Sequence, residues 1–159
     1  ASDKSFKKIE PVNSDSKDRP DIIIFNKPFA FSNDDKPYES IVLIEFKRPM
    51  RDDYTEQENP IYQINKYARE IIEGEVKDKY DREFDYRKNT PIYAYIVCDL
   101  TKKLKAFATD AGYKQLPSGD GYFSFNDNYN MYIEIMSFDK ILKDSKERNR
   151  VLFEKLNLT

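Results

Sequence analysis

Three short apolar runs limit what this chain can fold into more than any other feature. They cover residues 22–25, 41–46 and 92–97, and apart from Glu45 they consist of apolar and aromatic residues. Proline or polar residues bound each run, which is typical of buried strands. All three are far shorter than the roughly 20 residues that cross a bilayer as a helix. The sequence therefore predicts a sheet with a hydrophobic core of its own.

Two segments combine helical spacing with a helical start signal. The first begins with Asn59 as N-cap and Pro60 at the first helical position, and we expect it to end at Gly74. The second runs from about residue 138 to residue 156, with Ser137 as its cap. Each has an apolar stripe: Ile61, Ile64, Ala68, Ile71 and Ile72 in the first, and Phe138, Ile141, Leu142, Leu152, Phe153 and Leu156 in the second.

Strands and helices alternate along the 159 residues, which predicts one α/β or α+β domain with a central mixed sheet flanked by helices. We expect further strands at residues 104–109, 122–125 and 131–136. Residues 75–90 form a charged excursion with few core residues. Residues 1–20 permit either a short helix or an irregular strand.

Composition excludes several kinds of active site. The chain has no histidine, which removes imidazole-based triads and metal sites. Its single cysteine, Cys98, excludes an internal disulfide and a multi-cysteine zinc site, and we expect a buried structural thiol, consistent with a cytoplasmic protein. The net charge of −2 gives no overall basic field, although a local basic lining is compatible with it. Any chemistry must come from carboxylates, lysine, tyrosine or amides.

The second apolar run contains an anomaly, because it is interrupted by charge where it ends. Side chains alternate along a strand, so Glu45 and Lys47 share the face of Ile41 and Leu43, while Phe46 points the other way. Charges beside a core cost free energy unless they are paired or bind a metal. This pair therefore marks a candidate site.

Asp21 stands at the start of the preceding run. If the two runs form an antiparallel hairpin with Asn26 near Ile41, Asp21 lies opposite about Phe46 and next to both Glu45 and Lys47. Two carboxylates and the backbone carbonyl of Phe46 would suit Mg²⁺ or Mn²⁺, which prefer oxygen ligands. Such an ion can polarise a phosphodiester and activate water, while lysine positions that water or stabilises transition-state charge.

This pattern resembles the PD-(D/E)xK signature of the restriction-endonuclease-like nuclease superfamily. The resemblance is carried by Pro20-Asp21 and by Glu45-Phe46-Lys47 in an apolar strand. It implies a restriction-endonuclease-like core, metal-binding Asp21 and Glu45, and catalytic Lys47. A Gln-x-x-x-Tyr motif often follows in that family, and Gln63 and Tyr67 match it here, four residues apart on one helical face. The resemblance implies that these two contribute to catalysis or bind the nucleic acid.

The sequence departs from the family pattern at one point. Many members have a further acidic residue on a helix before the aspartate, and only Glu10 and a few aspartates precede Asp21 here, which leaves a second metal ion open. The run from Glu45 to Pro49 also resembles nuclease domains of bacterial anti-phage defence proteins, some fused to ATPase modules. Together with a charged start that lacks methionine, this predicts a domain of a longer protein, with an ATPase or other domain, or a second copy in a homodimer, as partner.

Each signal also has a plainer interpretation. Glu45 and Lys47 alone would be read as a surface ion pair at a strand end. Arg48 and Arg51 are candidates for phosphate contacts, but solvated loop charges are the commoner case. The same choice applies to other residues whose plainer reading is a basic surface turn or aromatic packing: Lys102, Lys103, Lys105, Tyr122, Phe123, Phe125, Tyr129 and Tyr132.

Three functions from different classes remain open. The leading hypothesis is a Mg²⁺- or Mn²⁺-dependent nuclease that hydrolyses phosphodiester bonds, in DNA rather than RNA by preference. The alternative is a catalytically inactive module of the same fold that binds nucleic acid or a partner protein. The third is a nuclease that cuts only when joined to its parent protein.

Overall fold

The computed structural model describes residues 6–8, 13–14, 20–26, 39–73, 76–77 and 90–156. These residues form nine strands and three helices. In chain order they are β1 Phe6–Lys8, β2 Asn13–Ser14, β3 Ile22–Asn26, β4 Ser40–Phe46, α1 Pro60–Ile72, β5 Val76–Lys77, β6 Ile92–Val97, α2 Lys102–Asp110, β7 Lys114–Gln115, β8 Gly121–Asn126, β9 Met131–Met136 and α3 Phe138–Lys155.

Seven of the strands form one mixed sheet in the order β1-β3-β4-β6-β9-β8-β7. The two central pairings, β4 with β6 and β6 with β9, are parallel, and the outer pairings are antiparallel. A second, two-stranded sheet joins β2 to β5. The predicted mixed sheet with helices is therefore confirmed, and the class is α+β.

The core lies on one face of the large sheet. Alternate residues of β4, β6 and β9 are buried on this face, as period-two strands require. Helix α1 packs against β4 and β6, and α2 contributes to the same apolar cluster. The fully buried members include Ile41, Leu43, Ile64, Leu104 and Ile133. Burial of each such side chain favours folding by roughly 1.5–3 kcal/mol.

Helix α1 begins where the sequence predicts. The Asn59 side chain accepts a hydrogen bond from the Tyr62 N–H at 2.9 Å, and Pro60 takes the first helical position. The amide of Asn59 also donates to the Thr55 and Glu56 carbonyl oxygens at 3.0 and 2.9 Å, which fixes the approach to the helix. The helix ends at Ile72 with Glu73 as its C-cap, and the predicted stop at Gly74 lies outside the described residues.

The predicted strand at residues 104–109 is wrong, because these residues belong to α2. Leu104, Ala106 and Ala108 alternate as a strand would, but Ala106 is exposed while Leu104 and Ala108 are buried. A spacing of four residues places those two on one helical face. The start signal is Thr101, whose hydroxyl accepts from the Leu104 N–H at 3.3 Å.

Helix α3 also begins where predicted, with the Ser137 hydroxyl accepting from the Lys140 N–H at 3.0 Å. Its predicted apolar face is only partly covered. Phe138 and Ile141 are half-buried, whereas the Leu142, Leu152 and Leu156 side chains are exposed. The side chain of Phe153 lies outside the described part of the chain.

The remaining sequence predictions divide between confirmed and undescribed segments. Strands β8 and β9 confirm those at residues 122–125 and 131–136. Cys98 is fully buried, as expected, and burial raises the pKa of its thiol to about 12. Of the segments 1–20 and 75–90, the structure describes little more than the short strands β1, β2 and β5. No helix among the described residues is long and apolar enough to span a membrane.

The cap of α2 gives a test of the corrected element. Thr101→Val keeps the shape of the side chain but removes the hydroxyl that accepts from Leu104 and donates to the Asp52 carboxylate at 2.6 Å. We expect the free energy of unfolding in urea to fall by about 1 kcal/mol. Thr109→Val, at an exposed position near the end of α2, is the matched control and should change it far less. Equal losses in both variants would contradict the capping role.

Candidate active site

The charged end of β4 lies on the core face of the sheet, where α1 covers it. Glu45 is 5% exposed and Lys47 is 7% exposed, so both continue the buried row of Ile41 and Leu43. The Lys47 Nζ donates to Glu45 Oε1 at 2.7 Å. The interpretation of this pair as a surface ion pair is therefore wrong, because the pair is buried.

The predicted hairpin is present, with a register one residue away from the predicted one. Asn26 pairs with Ser40 rather than Ile41, and Ile22 pairs with Ile44. Continued by one residue, this register sets Asp21 opposite Glu45 instead of Phe46. Residues directly opposite each other in a sheet project to the same face. The observed register therefore suits a shared site better than the predicted one.

The side chain of Asp21 contacts the backbone at the end of β4. Its Oδ2 accepts a hydrogen bond from the Phe46 N–H at 2.6 Å. The N–H and C=O of one strand residue point to the same neighbouring strand, so the Phe46 carbonyl is directed to the side on which Asp21 lies. The three groups that the sequence proposes as metal ligands are thus gathered at one place on the sheet.

Burial raises the pKa of Glu45 above its ordinary value of 4.5. The hydrogen bond and the positive charge of Lys47 oppose this shift, and the negative charge of Asp21 adds to it. The backbone N–H of Asp21 is close enough to Glu45 to oppose the shift as well, as the smallest of these effects. Because the pKa is raised overall, removing the carboxylate from water destabilises its charged form more than Lys47 stabilises it. A second cation near Glu45 and Asp21 would lower the pKa again.

One oxygen of Glu45 is unpaired within the described residues. Oε1 accepts from Lys47, whereas Oε2 is buried and has no hydrogen-bond partner. An unsatisfied buried polar group costs about 1–3 kcal/mol, and more when it is charged. This orphaned oxygen, next to a second carboxylate, fits a divalent cation, which would satisfy both. Within the described residues there is no group of three or more acidic, cysteine or histidine side chains that could hold a metal, so the fit rests on Asp21, Glu45 and the Phe46 carbonyl.

Gln63 reaches the site from α1. Its Oε1 accepts from the Lys47 Nζ at 2.6 Å, so the ammonium group is held between a strand residue and a helix residue. The position follows from the start of the helix, because the Asn59 cap fixes where the first turn begins. Of the pair that the sequence singled out, Gln63 is thus brought to Lys47.

Tyr67 lies one turn further along α1. It is 3% exposed and belongs to the hydrophobic core cluster. Its ring packs among the apolar side chains of that cluster. A role in catalysis or in nucleic-acid binding stays a prediction from the resemblance.

No protein-family model, curated protein or solved structure matches this chain.

The two arginines that follow Lys47 differ in their surroundings. Arg51 donates from Nε to Asp53 Oδ1 at 2.7 Å, and its guanidinium lies 5.3 Å from the centre of the Tyr54 ring. That hydrogen bond is the main reason why the pKa of Asp53 is lowered. The Arg48 Nη2 lies 3.7 Å from Asp53 Oδ2, and its side chain is 74% exposed. Arg51 therefore braces its own loop, while Arg48 is held only loosely and can turn towards an anion.

Sequence reasoning missed the contacts between the loops that follow β4 and β6. The Asp99 carboxylate accepts from the Met50 N–H, and Thr101 donates to Asp52 at 2.6 Å. Parallel neighbours end at the same edge of a sheet, so the parallel pairing of β4 and β6 brings these loops together. Asp99 follows the third apolar run directly after the buried Cys98, and this abrupt change from apolar to charged could have found it.

The other candidate contacts lie in ordinary settings. Lys102, Lys103 and Lys105 are exposed on α2 rather than in a turn. Tyr122 packs in the core cluster, as its plainer reading expects, and Tyr129 is packed against that cluster. Phe123 and Tyr132 are half-buried, and Phe125 is exposed on β8.

The raised pKa of Glu45 makes stability depend on pH. Between pH 4.5 and the higher pKa of the folded state, the unfolded chain has released this proton while the folded chain keeps it. Folding stability contributed by Glu45 therefore falls as pH rises through that window. We therefore compare the free energy of unfolding of the wild type with that of Glu45→Gln. The difference, wild type minus variant, should decrease as the pH rises above 4.5 and then level off.

Urea denaturation in EDTA across about pH 4 to 8 measures this difference. Glu56→Gln, at an exposed glutamate outside the site, is the matched control and should track the wild type. A difference that increases with pH would show instead that Lys47 more than compensates for the burial of Glu45.

Proposed function

We propose that this chain is a divalent-metal-dependent nuclease that hydrolyses phosphodiester bonds, with DNA as its substrate. The observation that carries the proposal is the buried Glu45 carboxylate. One of its oxygens accepts from Lys47, and the other has no hydrogen-bond partner within the described residues, beside a second carboxylate, Asp21. The resemblance to the PD-(D/E)xK signature supports the same reading.

Mg²⁺ or Mn²⁺ is the cofactor that this donor set fits. Asp21, Glu45 and the Phe46 carbonyl offer only hard oxygen ligands. When bound, such an ion would polarise a phosphodiester oxygen and lower the pKa of a water molecule. The protein side of the site holds the two carboxylates in place before the ion arrives, through the Phe46 N–H for Asp21 and through Lys47 for Glu45.

Lys47 supplies the positive charge that hydrolysis of a phosphodiester requires. Two of its N–H groups are directed to Glu45 and Gln63, at 2.7 and 2.6 Å. An ammonium has three donors, so within the described residues one is left for the attacking water or a phosphate oxygen. At 7% exposure the group is partly desolvated, and its stabilisation of developing negative charge is correspondingly larger than in water.

The energetics favour an enzyme over an inactive module. A buried ion pair is often no more stabilising than apolar side chains of the same size, and the raised pKa of Glu45 indicates a net cost here. A strand that only completed a core could continue the series Ile41 and Leu43 with apolar residues. The presence of the pair at these two positions therefore supports a chemical role for it.

The setting of this activity is part of the proposal. Nucleic acid is the partner, and the cytoplasm is the compartment that a lone buried thiol suits. An ATPase or other domain of a longer protein, a homodimer and a place in anti-phage defence stay predictions from the resemblance.

The decisive experiment is cleavage of plasmid, single-stranded DNA and RNA with Mg²⁺, Mn²⁺ or EDTA. We expect metal-dependent cutting of DNA that Asp21→Ala, Glu45→Ala and Lys47→Ala each lower by roughly 10²–10³-fold or more. Asp110→Ala and Lys146→Ala, at exposed positions on α2 and α3, are the matched controls and should cut as the wild type does.

Cutting that survives both carboxylate substitutions would contradict the proposed site. Absence of cutting with either metal would contradict a free-standing nuclease. Calorimetric titration with Mn²⁺ then separates the remaining readings. Binding that Asp21→Ala abolishes indicates a nuclease that needs its parent protein, and absence of binding indicates an inactive module.

Gln63 should act through the position of Lys47. Gln63→Ala removes one of the two acceptors that hold the ammonium, and we expect kcat to fall by roughly 10–100-fold while KM changes little. Asn65→Ala is the matched control on α1, because the Asn65 Oδ1 accepts from the Asn126 Nδ2 at 3.4 Å instead. An equal loss in both variants would show that Gln63 matters only for the stability of the helix.

A further inference from the structure

The four residues Arg48 to Arg51 form a tight turn directly after the β4 site. The Arg51 N–H donates to the Arg48 carbonyl at 3.3 Å, with Pro49 in the second position. Met50, in the third position, has a φ of +63°. This is the pattern of a type II turn, which favours proline second and requires a positive φ third, where glycine or asparagine is usual.

Met50 is an unfavourable residue for that position. A side chain with a Cβ in the left-handed region costs roughly 1–2 kcal/mol. Packing does not repay this cost, because the Met50 side chain is 83% exposed. The backbone is nevertheless held in place. The Asp99 carboxylate accepts a hydrogen bond from the Met50 N–H, and the Thr101 hydroxyl donates one to Asp52 nearby. The backbone contacts thus hold Met50 in a strained turn, with its apolar side chain exposed to solvent.

The surroundings of Met50 indicate what it meets. It lies three residues after Lys47, beyond the end of the strand that carries the candidate active site. Arg48, two residues before it, is 74% exposed and only loosely paired with Asp53 at 3.7 Å. An exposed apolar side chain next to an available guanidinium matches the two kinds of surface on a nucleic acid, the apolar face of a base and the phosphate backbone.

We infer that Met50 is a wedge that inserts against an unstacked base beside the scissile phosphate, with Arg48 on the adjoining phosphate. This inference rests on the proposed nuclease function and deepens it. A thioether side chain is flexible and polarisable, which suits contact with any base. The substrate is then a strand whose bases can be unstacked at the cut, and flexible pyrimidine–purine steps in a duplex meet this requirement most easily.

Two substitutions at position 50 distinguish a role of the Met50 side chain as a wedge from a role of Met50 in forming the turn. Met50→Asn removes the apolar side chain and suits a positive φ, whereas Met50→Leu keeps an apolar side chain of similar volume. The measurements are made in EDTA, so that nothing is cut. They record the affinity of the whole chain for a DNA duplex with 2-aminopurine at a central TA step, the fluorescence of that base, and the thermal midpoint of the protein.

We expect the wild type and Met50→Leu to bind the duplex and to raise the 2-aminopurine fluorescence. Met50→Asn should bind about tenfold more weakly, without the fluorescence rise, although its thermal midpoint is equal to that of the wild type or higher. Met50→Gly, which also suits a positive φ, is the second variant and should behave as Met50→Asn does. A loss of function with no loss of stability is the signature that a merely structural role would not give.

Equal affinity and equal fluorescence for the wild type, Met50→Asn and Met50→Gly would overturn the wedge and leave the nuclease standing. The same holds if the wild type cuts DNA with metal but never unstacks the labelled base. If the wild type neither binds DNA nor cuts it with metal, the proposed function fails together with the wedge. If Met50→Leu bound DNA as weakly as Met50→Asn does, the wedge would also be overturned, because leucine and methionine should both be able to contact the base.

Discussion

The site depends on one buried ammonium group, that of Lys47. It is held between Glu45 on the same strand and Gln63 on α1, at 2.7 and 2.6 Å. Each partner alone would leave a buried charge with too few contacts, which is strongly destabilising. The position of Gln63 is set in turn by the Asn59 cap, since a shift of the helix start by one residue would rotate the amide by about 100°. A local capping motif thus determines the geometry of a charged group 12 residues earlier in the chain.

The position of β4 in the sheet supplies the rest of the site. Its antiparallel neighbour β3 starts beside the end of β4, which brings Asp21 to the Phe46 N–H. Its parallel neighbour β6 ends at the same edge, so the loop after it brings Asp99 and Thr101 to the loop that follows Lys47. One pairing contributes a carboxylate to the candidate site, and the other braces the segment next to it. At this edge the antiparallel neighbour contributes the residues at its start, and the parallel neighbour contributes the residues after its end.

The sequence predicts the local features of this arrangement and misses those that depend on distant pairing. Strands β3, β4, β6 and β9 and helix α1 follow from short apolar runs and caps, which are properties of neighbouring residues. The spacing of Leu104, Ala106 and Ala108 fits either element, and only the burial of two of the three decides for α2. The hairpin register cannot be read from two strands that are apolar nearly throughout, because a slip by one residue leaves their pattern almost unchanged. The contact of Asp99 with Met50 follows from a parallel pairing that no local signal announces.

Three energetically unfavourable features lie within the ten residues from Glu45 to Tyr54. Glu45 has a buried oxygen without a partner, Met50 has a strained backbone, and the Tyr54 hydroxyl is buried and unpaired within the described residues. Their physical causes differ: one is electrostatic, one is conformational and one is an unmade hydrogen bond. The core side of β6 and β9, in contrast, is apolar. Elsewhere in the described part of the chain, the comparable features are the unpaired Tyr113 hydroxyl and the positive φ of Asn130, a residue type that tolerates this conformation. Departures from local consistency concentrate where function constrains a sequence. The segment from Glu45 to Tyr54 is therefore the part of this chain that folding alone explains least well.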